Sequence, residues 1–154
     1  MTGHIQTHEY WMNEALILAR EAMAVGEVPV GCVIVDDAGQ IIGRGRNRRE
    51  EDGLATAHAE IMAIEAACRS LGDWRLGSCS LYVTLEPCPM CAGAMINARV
   101  GKVFYGARDS TMGACGSVLN IFMERFGYAP QLVGGILEEA CAEIMTDFFR
   151  NLRV

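Results

Sequence analysis

From residue 30 onward, short β-branched runs alternate with stretches of helical periodicity, and this alternation limits the possible folds more than any other feature. Val30 to Val35 and Gln40 to Arg44 read as strands joined by the turn Asp36-Asp37-Ala38-Gly39. Ser80 to Thr84, Lys102 to Tyr105 and Gln131 to Gly134 read as three more. Ahead of them, Glu9 to Val25 sets Trp11, Ala15, Leu18, Ala22 and Val25 at helical spacing, with Gly26 as the stop. His58 to Ser70 repeats the pattern through Ile61, Ile64, Ala67 and Cys68 and closes at Gly72. Pro89 to Ala98, Val118 to Phe126 and Leu137 to Leu152 complete the helices; proline suits a first helical position, where its missing N–H is not needed. Arg46 to Thr56 is polar and Asp109 to Ser117 glycine-rich, so both read as loops. A hairpin followed by strand–helix–strand units predicts an α/β fold: a three-layer α-β-α arrangement with a central five-stranded mixed sheet.

No repeat, low-complexity tract or linker divides the 154 residues, so one domain spanning 1–154 is expected. With 51% hydrophobic and only 21% charged residues the chain has the material for a packed core and is not of the disordered class. No apolar run reaches the ~18 residues that would span a bilayer, and the N-terminus lacks the basic and apolar regions of a signal peptide. A soluble, cytoplasmic protein is the expectation. Seven cysteines, an odd count without an export signal, argue against a disulfide framework. Cys32, Cys68, Cys79 and Cys141 lie in apolar or helical surroundings and read as buried thiols, while Cys115 in its glycine-rich loop says little.

Cys88 and Cys91 differ from the rest. They stand three apart at the start of a helix, nearly on one face, where their sulfurs can converge on one ion. The positive end of the helix favours the thiolate, which is the ligating form. Alone, such a pair also fits a redox motif. Of the three histidines, His4 and His8 belong to the N-terminal extension and read as surface residues, whereas His58 opens a helix. His58, Cys88 and Cys91 together are three donors of the kind zinc prefers, and three protein ligands with one open position is the catalytic arrangement. Glu60, two residues on, stands where it reaches water activated by the ion without ligating the ion. Two residues is not a same-face spacing in a regular helix, so this reading requires His58 in the first turn, pointing along the chain's entry direction. Zinc acidifies water, two thiolates temper that effect, and a neighbouring carboxylate that takes the proton makes up the difference. The plainer alternatives are a helix-end histidine and a first-turn carboxylate favoured by the helix dipole.

The formal net charge of −6 sits awkwardly with a polyanionic partner, although phosphate contact needs local rather than total positive charge. Arg44, Arg46, Arg48 and Arg49 do cluster, and Arg150 and Arg153 lie at the end; a solvated surface is the other reading of both groups.

At His58-Ala59-Glu60 and Pro87-Cys88-Pro89-Met90-Cys91 the chain resembles the cytidine deaminase-like superfamily. Within it the chain is most similar to the bacterial tRNA-specific adenosine deaminases, from about His8 to Arg150. The similarity is carried by segments such as His8-Glu9-Tyr10-Trp11-Met12, Glu27-Val28-Pro29-Val30-Gly31, Gly106-Ala107-Arg108-Asp109 and Asp147-Phe148-Phe149-Arg150. The resemblance implies one zinc ion on His58, Cys88 and Cys91, proton shuttling by Glu60, and hydrolytic conversion of a tRNA wobble adenosine to inosine. It also implies a homodimer that takes a splayed anticodon loop, with Asn47, Phe149 and Arg150 as substrate contacts. An amide at Asn47 suits an adenine edge because it both donates and accepts, though a turn residue in a polar loop is the alternative. Phe149 reads equally as core. The segment Phe126 to Gln131 is neutral where many family members carry Asn-His-Arg, a departure that touches the RNA contacts and leaves the zinc motifs intact. Two rivals stay open: a zinc deaminase of a free base or nucleotide such as guanine or cytosine, and a structural zinc module closed by Cys32 or Cys115.

Overall fold

A computed structural model describes residues 5–152. In chain order it contains α1 (His8–Ala24), β1 (Gly31–Val35), β2 (Ile41–Arg46), α2 (Arg49–Asp52) and α3 (Ala59–Leu71). There follow β3 (Ser80–Leu85), α4 (Pro89–Asn97), β4 (Lys102–Ala107), a 3-10 turn (Ile121–Met123), β5 (Gln131–Gly134) and α5 (Glu138–Leu152). The strands form one sheet in the order β2-β1-β3-β4-β5. β1 runs antiparallel to both β2 and β3, while β3, β4 and β5 are parallel. The sheet is therefore mixed and five-stranded, as the alternation of segments predicts.

Strand alternation divides the core in two. Cys32, Ile34, Leu81, Val83, Val103 and Tyr105 point to the face covered by α3 and α4, where Ala63, Ala67, Ala92 and Met95 meet them. Val33, Val35, Tyr82 and Phe104 point to the other face, against Met12 and Leu16 of α1 and Cys141 and Ile144 of α5. The three layers follow. β2 presents Gly43 and Gly45 to α3 so closely that a Cβ at either would run into the backbone oxygens of Ala63 and Ala59. This contact sets the height of α3 over the sheet, and with it the positions of His58 and Glu60 at its start.

The structure departs from the sequence reading in four places. The polar stretch after β2 contains the short helix α2, because the buried Glu27 carboxylate accepts the backbone N–H groups of Glu50 (3.1 Å) and Glu51 (2.7 Å). Nothing local announces a cap supplied from 23 residues upstream. The expected helix over Val118 to Phe126 shrinks to the 3-10 turn. There Val118 N–H donates to Gly113 O, Gly116 N–H to Leu119 O and Ile121 N–H to Ala114 O, so the backbone is spent on the preceding loop. On α1 the buried stripe is Trp11, Met12, Ala15, Leu16, Ala19 and Ala22, whereas Leu18 is half-buried and Val25 exposed. Cys68 is half-buried rather than buried; Cys32, Cys79 and Cys141 are buried as expected, and all seven cysteines are free. His8 is exposed, yet its ring stacks on Phe104 and its Nδ1 lies 2.7 Å from the Tyr82 hydroxyl. His4 and Arg153 lie outside the described residues. No described helix is long and apolar enough to cross a membrane.

Candidate active site

Two helix starts meet at one end of the sheet. His58 is the N-cap of α3, in extended conformation (φ −82°, ψ 154°), and Cys88 is the N-cap of α4, likewise extended (φ −77°, ψ 172°). Pro89 occupies the first turn of α4, as the sequence predicts, and Cys91 follows on its buried side. His58 Nδ1 lies 3.7 Å from Cys88 Sγ and 3.5 Å from Cys91 Sγ. The three donor atoms lie within 4.8 Å of one another, a spacing at which one ion can sit between them. Among the described residues no fourth His, Cys, Asp or Glu joins this group, so neither Cys32 nor Cys115 closes it. Cys32 is instead a fully buried thiol whose pKa is raised well above the ordinary value, first by burial and then by the charge of Glu60.

The electrostatics suit a cation. The Cys88 thiol is held down to about 4, chiefly because the Cys91 thiol donates to it and secondarily because His58 does. Cys91 is pushed upward by the same hydrogen bond and by burial, and His58 is raised through its bond to Cys88. The cluster thus shares protons that a metal would displace, leaving two thiolates and a neutral imidazole, a borderline-soft set that fits zinc.

Glu60 is 4% exposed and stands outside the ligand group, in the first turn of α3. His58 lies just ahead of the first turn, whereas the sequence reading places it within that turn; in extended conformation it lines the same cavity as Glu60 despite the two-residue offset. Burial pushes the Glu60 carboxyl up to about 7, the Cys88 charge adds to this, and its own backbone N–H opposes it. A carboxyl so placed is suited to exchanging protons near neutral pH.

Above these groups opens a cavity of about 660 Å³, lined at its base by His58, Glu60 and Cys88. Asn47 also lines it and is buried; its Nδ2 donates to Val28 O and its Oδ1 accepts from Arg49 N–H, both at 3.4 Å. The amide is therefore a turn residue whose second donor and second lone pair remain available to a ligand. Phe149 lines the same cavity and is 45% exposed, while its neighbour Phe148 takes the core position. Arg150 does not line the cavity; it lies 3.7 Å from Asp147 on the exposed side of α5.

Sequence reasoning missed one organising residue. Glu86, at the end of β3, is 2% exposed and lines the cavity. One of its oxygens accepts from Asp109 N–H (3.1 Å) and the Ser117 hydroxyl, the other from Cys115 N–H (3.0 Å) and Ser117 N–H (3.1 Å). It ties the segment leading into Cys88 to the loop that forms the opposite wall. An acid between apolar β3 and Pro87 was the available signal, but its partners lie more than twenty residues away.

The sequence matches the family described as the cytidine and deoxycytidylate deaminase zinc-binding region over residues 5–107. It is 48% identical over 146 residues to a tRNA-specific adenosine deaminase of Bacillus subtilis, covering 94% of this chain and 90% of the relative. A tRNA(Ile)-lysidine synthase of Deinococcus deserti is 46% identical over 92% of this chain, but the chain spans only 27% of that protein. Among solved structures, a tRNA:A34 deaminase described as editing A to I at the wobble position of transfer RNA superposes with a TM-score of 0.84. It shares 45% identity over 88% of this chain and 98% of that one.

Proposed function

Because the chain belongs to the cytidine and deoxycytidylate deaminase zinc-binding family, we propose that it hydrolytically deaminates the wobble adenosine of a tRNA anticodon to inosine. The observation that carries this reading is the three-donor cluster with Glu60 beside it at the base of an open cavity. His58, Cys88 and Cys91 would hold the zinc, whose chemistry when bound would be to acidify a water molecule for attack on the ring carbon bearing the amine. Glu60 would take one proton from that water and pass it to the ring nitrogen, then take the second from the oxygen newly bonded to the ring carbon and pass it to the amino group, which leaves as ammonia as the C–N bond breaks. The carboxyl's raised affinity for protons suits both directions of transfer. Asn47 reads the adenine edge with its remaining donor and acceptor, and Phe149 offers an exposed ring for stacking. Arg150 contacts the RNA farther out on α5, where its side chain is exposed.

The whole chain acts as one deaminase domain in the cytoplasm. It works as a homodimer; the segment between β4 and β5 exposes the apolar side chains Val118, Leu119, Met123 and Phe126, which supports pairing. Light scattering at micromolar concentration is expected to give twice the chain mass, and a monomer would refute the pairing. The substrate assignment is tested by following inosine in an anticodon stem-loop RNA beside turnover of free guanine, cytosine and adenosine. Inosine in the stem-loop is the expected product. Turnover of the free compounds alone would overturn the assignment in favour of a free-base deaminase.

A further inference from the structure

The arginine cluster of the sequence is split by the fold. Arg46 donates to Glu51 at 2.9 Å, and Arg48 is engaged with Glu51 at 3.3 Å and Asp52 at 3.1 Å, so both guanidinium groups are neutralised locally. Arg44 is exposed on β2 and does not line the cavity. Arg49 is different: it is exposed, lines the cavity, and pairs with no carboxylate among the described residues. Arg108, just past the end of β4, lines the same cavity with a side chain 66% exposed, and its one ion pair among the described residues is a long contact of 3.8 Å to the exposed Glu138. The lining also carries Glu60, Glu86 and Asp109, but Glu60 and Glu86 are buried and Asp109 accepts from Thr111 and Met112 N–H, so in a chain of net charge −6 the two arginines are the exposed charges on this wall.

We propose that Arg49 and Arg108 grip backbone phosphates of the RNA strand that delivers the reacting base, which rests on the tRNA reading above. A single adenine fills only part of a cavity of about 660 Å³, and the exposed ring of Phe149 shares its lining with the two arginines. A polynucleotide supplies what that lining can use: a base to stack, and phosphate oxygens for guanidinium forks. A free base would supply no anion for either arginine. Arg49 opens α2, whose first turn is held by Asn47 at the Arg49 N–H and by Glu27 at the N–H groups of Glu50 and Glu51.

The test uses the zinc-loaded protein and an anticodon stem-loop RNA, with affinity measured by fluorescence anisotropy across a range of KCl concentrations. Arg49→Gln and Arg108→Gln are each expected to weaken binding roughly three- to tenfold at moderate salt. Each is expected to flatten the log–log salt dependence by about 0.7, the release of one counterion from single-stranded RNA. KM should rise with kcat, zinc content and melting temperature held, since neither side chain touches the reacting atoms. Arg44→Gln, outside the cavity, should leave affinity within twofold. Unchanged salt slopes in both cavity variants would overturn the proposal, as would an equal loss in Arg44→Gln, which would mark a general charge effect. A wild-type protein that binds and deaminates the stem-loop while the cavity variants match it refutes the contact alone. A wild type that does neither refutes the tRNA reading itself.

Discussion

Glu86 holds the far wall of the cavity through four hydrogen bonds, and its replacement separates charge from connectivity. In Glu86→Ala, the N–H groups of Asp109, Cys115 and Ser117 lose their acceptor where no side chain remains to replace it. A buried donor left unmade costs about 1–3 kcal/mol; only the Cys115 bond is fully buried and water can reach the other two, so with the cavity left behind the loss is about 3–4 kcal/mol. That is a large share of the stability of a domain of this size. Glu86→Gln is milder. Its carbonyl can keep Cys115 and Ser117 N–H, and its amide can face the Ser117 hydroxyl, which turns to accept. Only Asp109 N–H is then orphaned, for a loss of about 1–3 kcal/mol. Urea unfolding of the zinc-loaded protein measures both, and hydrogen exchange at residues 109–117 should show the loop opening before the sheet. Equal destabilisation by Ala and Gln would show that the negative charge, not the bond count, holds the loop. No loss in Glu86→Ala would refute the reasoning altogether.

Other perturbations bear on different parts of the molecule. Glu60→Ala should keep its zinc and lose at least a hundredfold in kcat, in line with the usual worth of general acid–base catalysis; loss of the zinc on elemental analysis would make Glu60 a ligand and overturn its assignment. Cys88→Ala should lose both metal and melting temperature, because binding and folding are linked, and an unchanged zinc content would remove Cys88 from the ligand set. Gly45→Ala drives a methyl group into the backbone of α3 at Ala59. It is expected to cost about 1–3 kcal/mol and to weaken zinc retention against a chelator by displacing His58; retention equal to wild type would show that the helix start yields without moving the site.

The buried Cys141 thiol, pushed up to about 12 by its surroundings from an ordinary 9.0, predicts an alkaline weakness. Between these values the unfolded chain releases a proton that the folded chain keeps. Stability is therefore whole below pH 9 and falls by up to ~1.4 kcal/mol per pH unit as the pH rises toward 12. Urea midpoints at pH 7.5 and 10 should converge between wild type and Cys141→Ala, and an unchanged gap would count against the thiol as the source.

The five strands were legible in the sequence because each declares itself through neighbours: β-branched runs in β1 and β3, turn residues between β1 and β2, glycines past the helices. The metal cluster was legible for the same reason, since a histidine opening a helix and a Pro-framed cysteine pair opening another are short-range signals. What short-range pattern could not decide is which distant groups meet. The helix α2 exists because a carboxylate 23 residues upstream caps it, and the stretch from Val118 to Phe126 fails to wind because its backbone is claimed by Gly113 and Ala114. Likewise, four arginines close together in sequence carry no mark of which one faces the cavity. Periodicity and capping reside in adjacent residues and fix elements, whereas buried hydrogen bonds and the height of α3 over Gly43 and Gly45 arise only when remote segments pack. The chemistry of the site was therefore written locally, and the walls that select its substrate were settled by the tertiary fold.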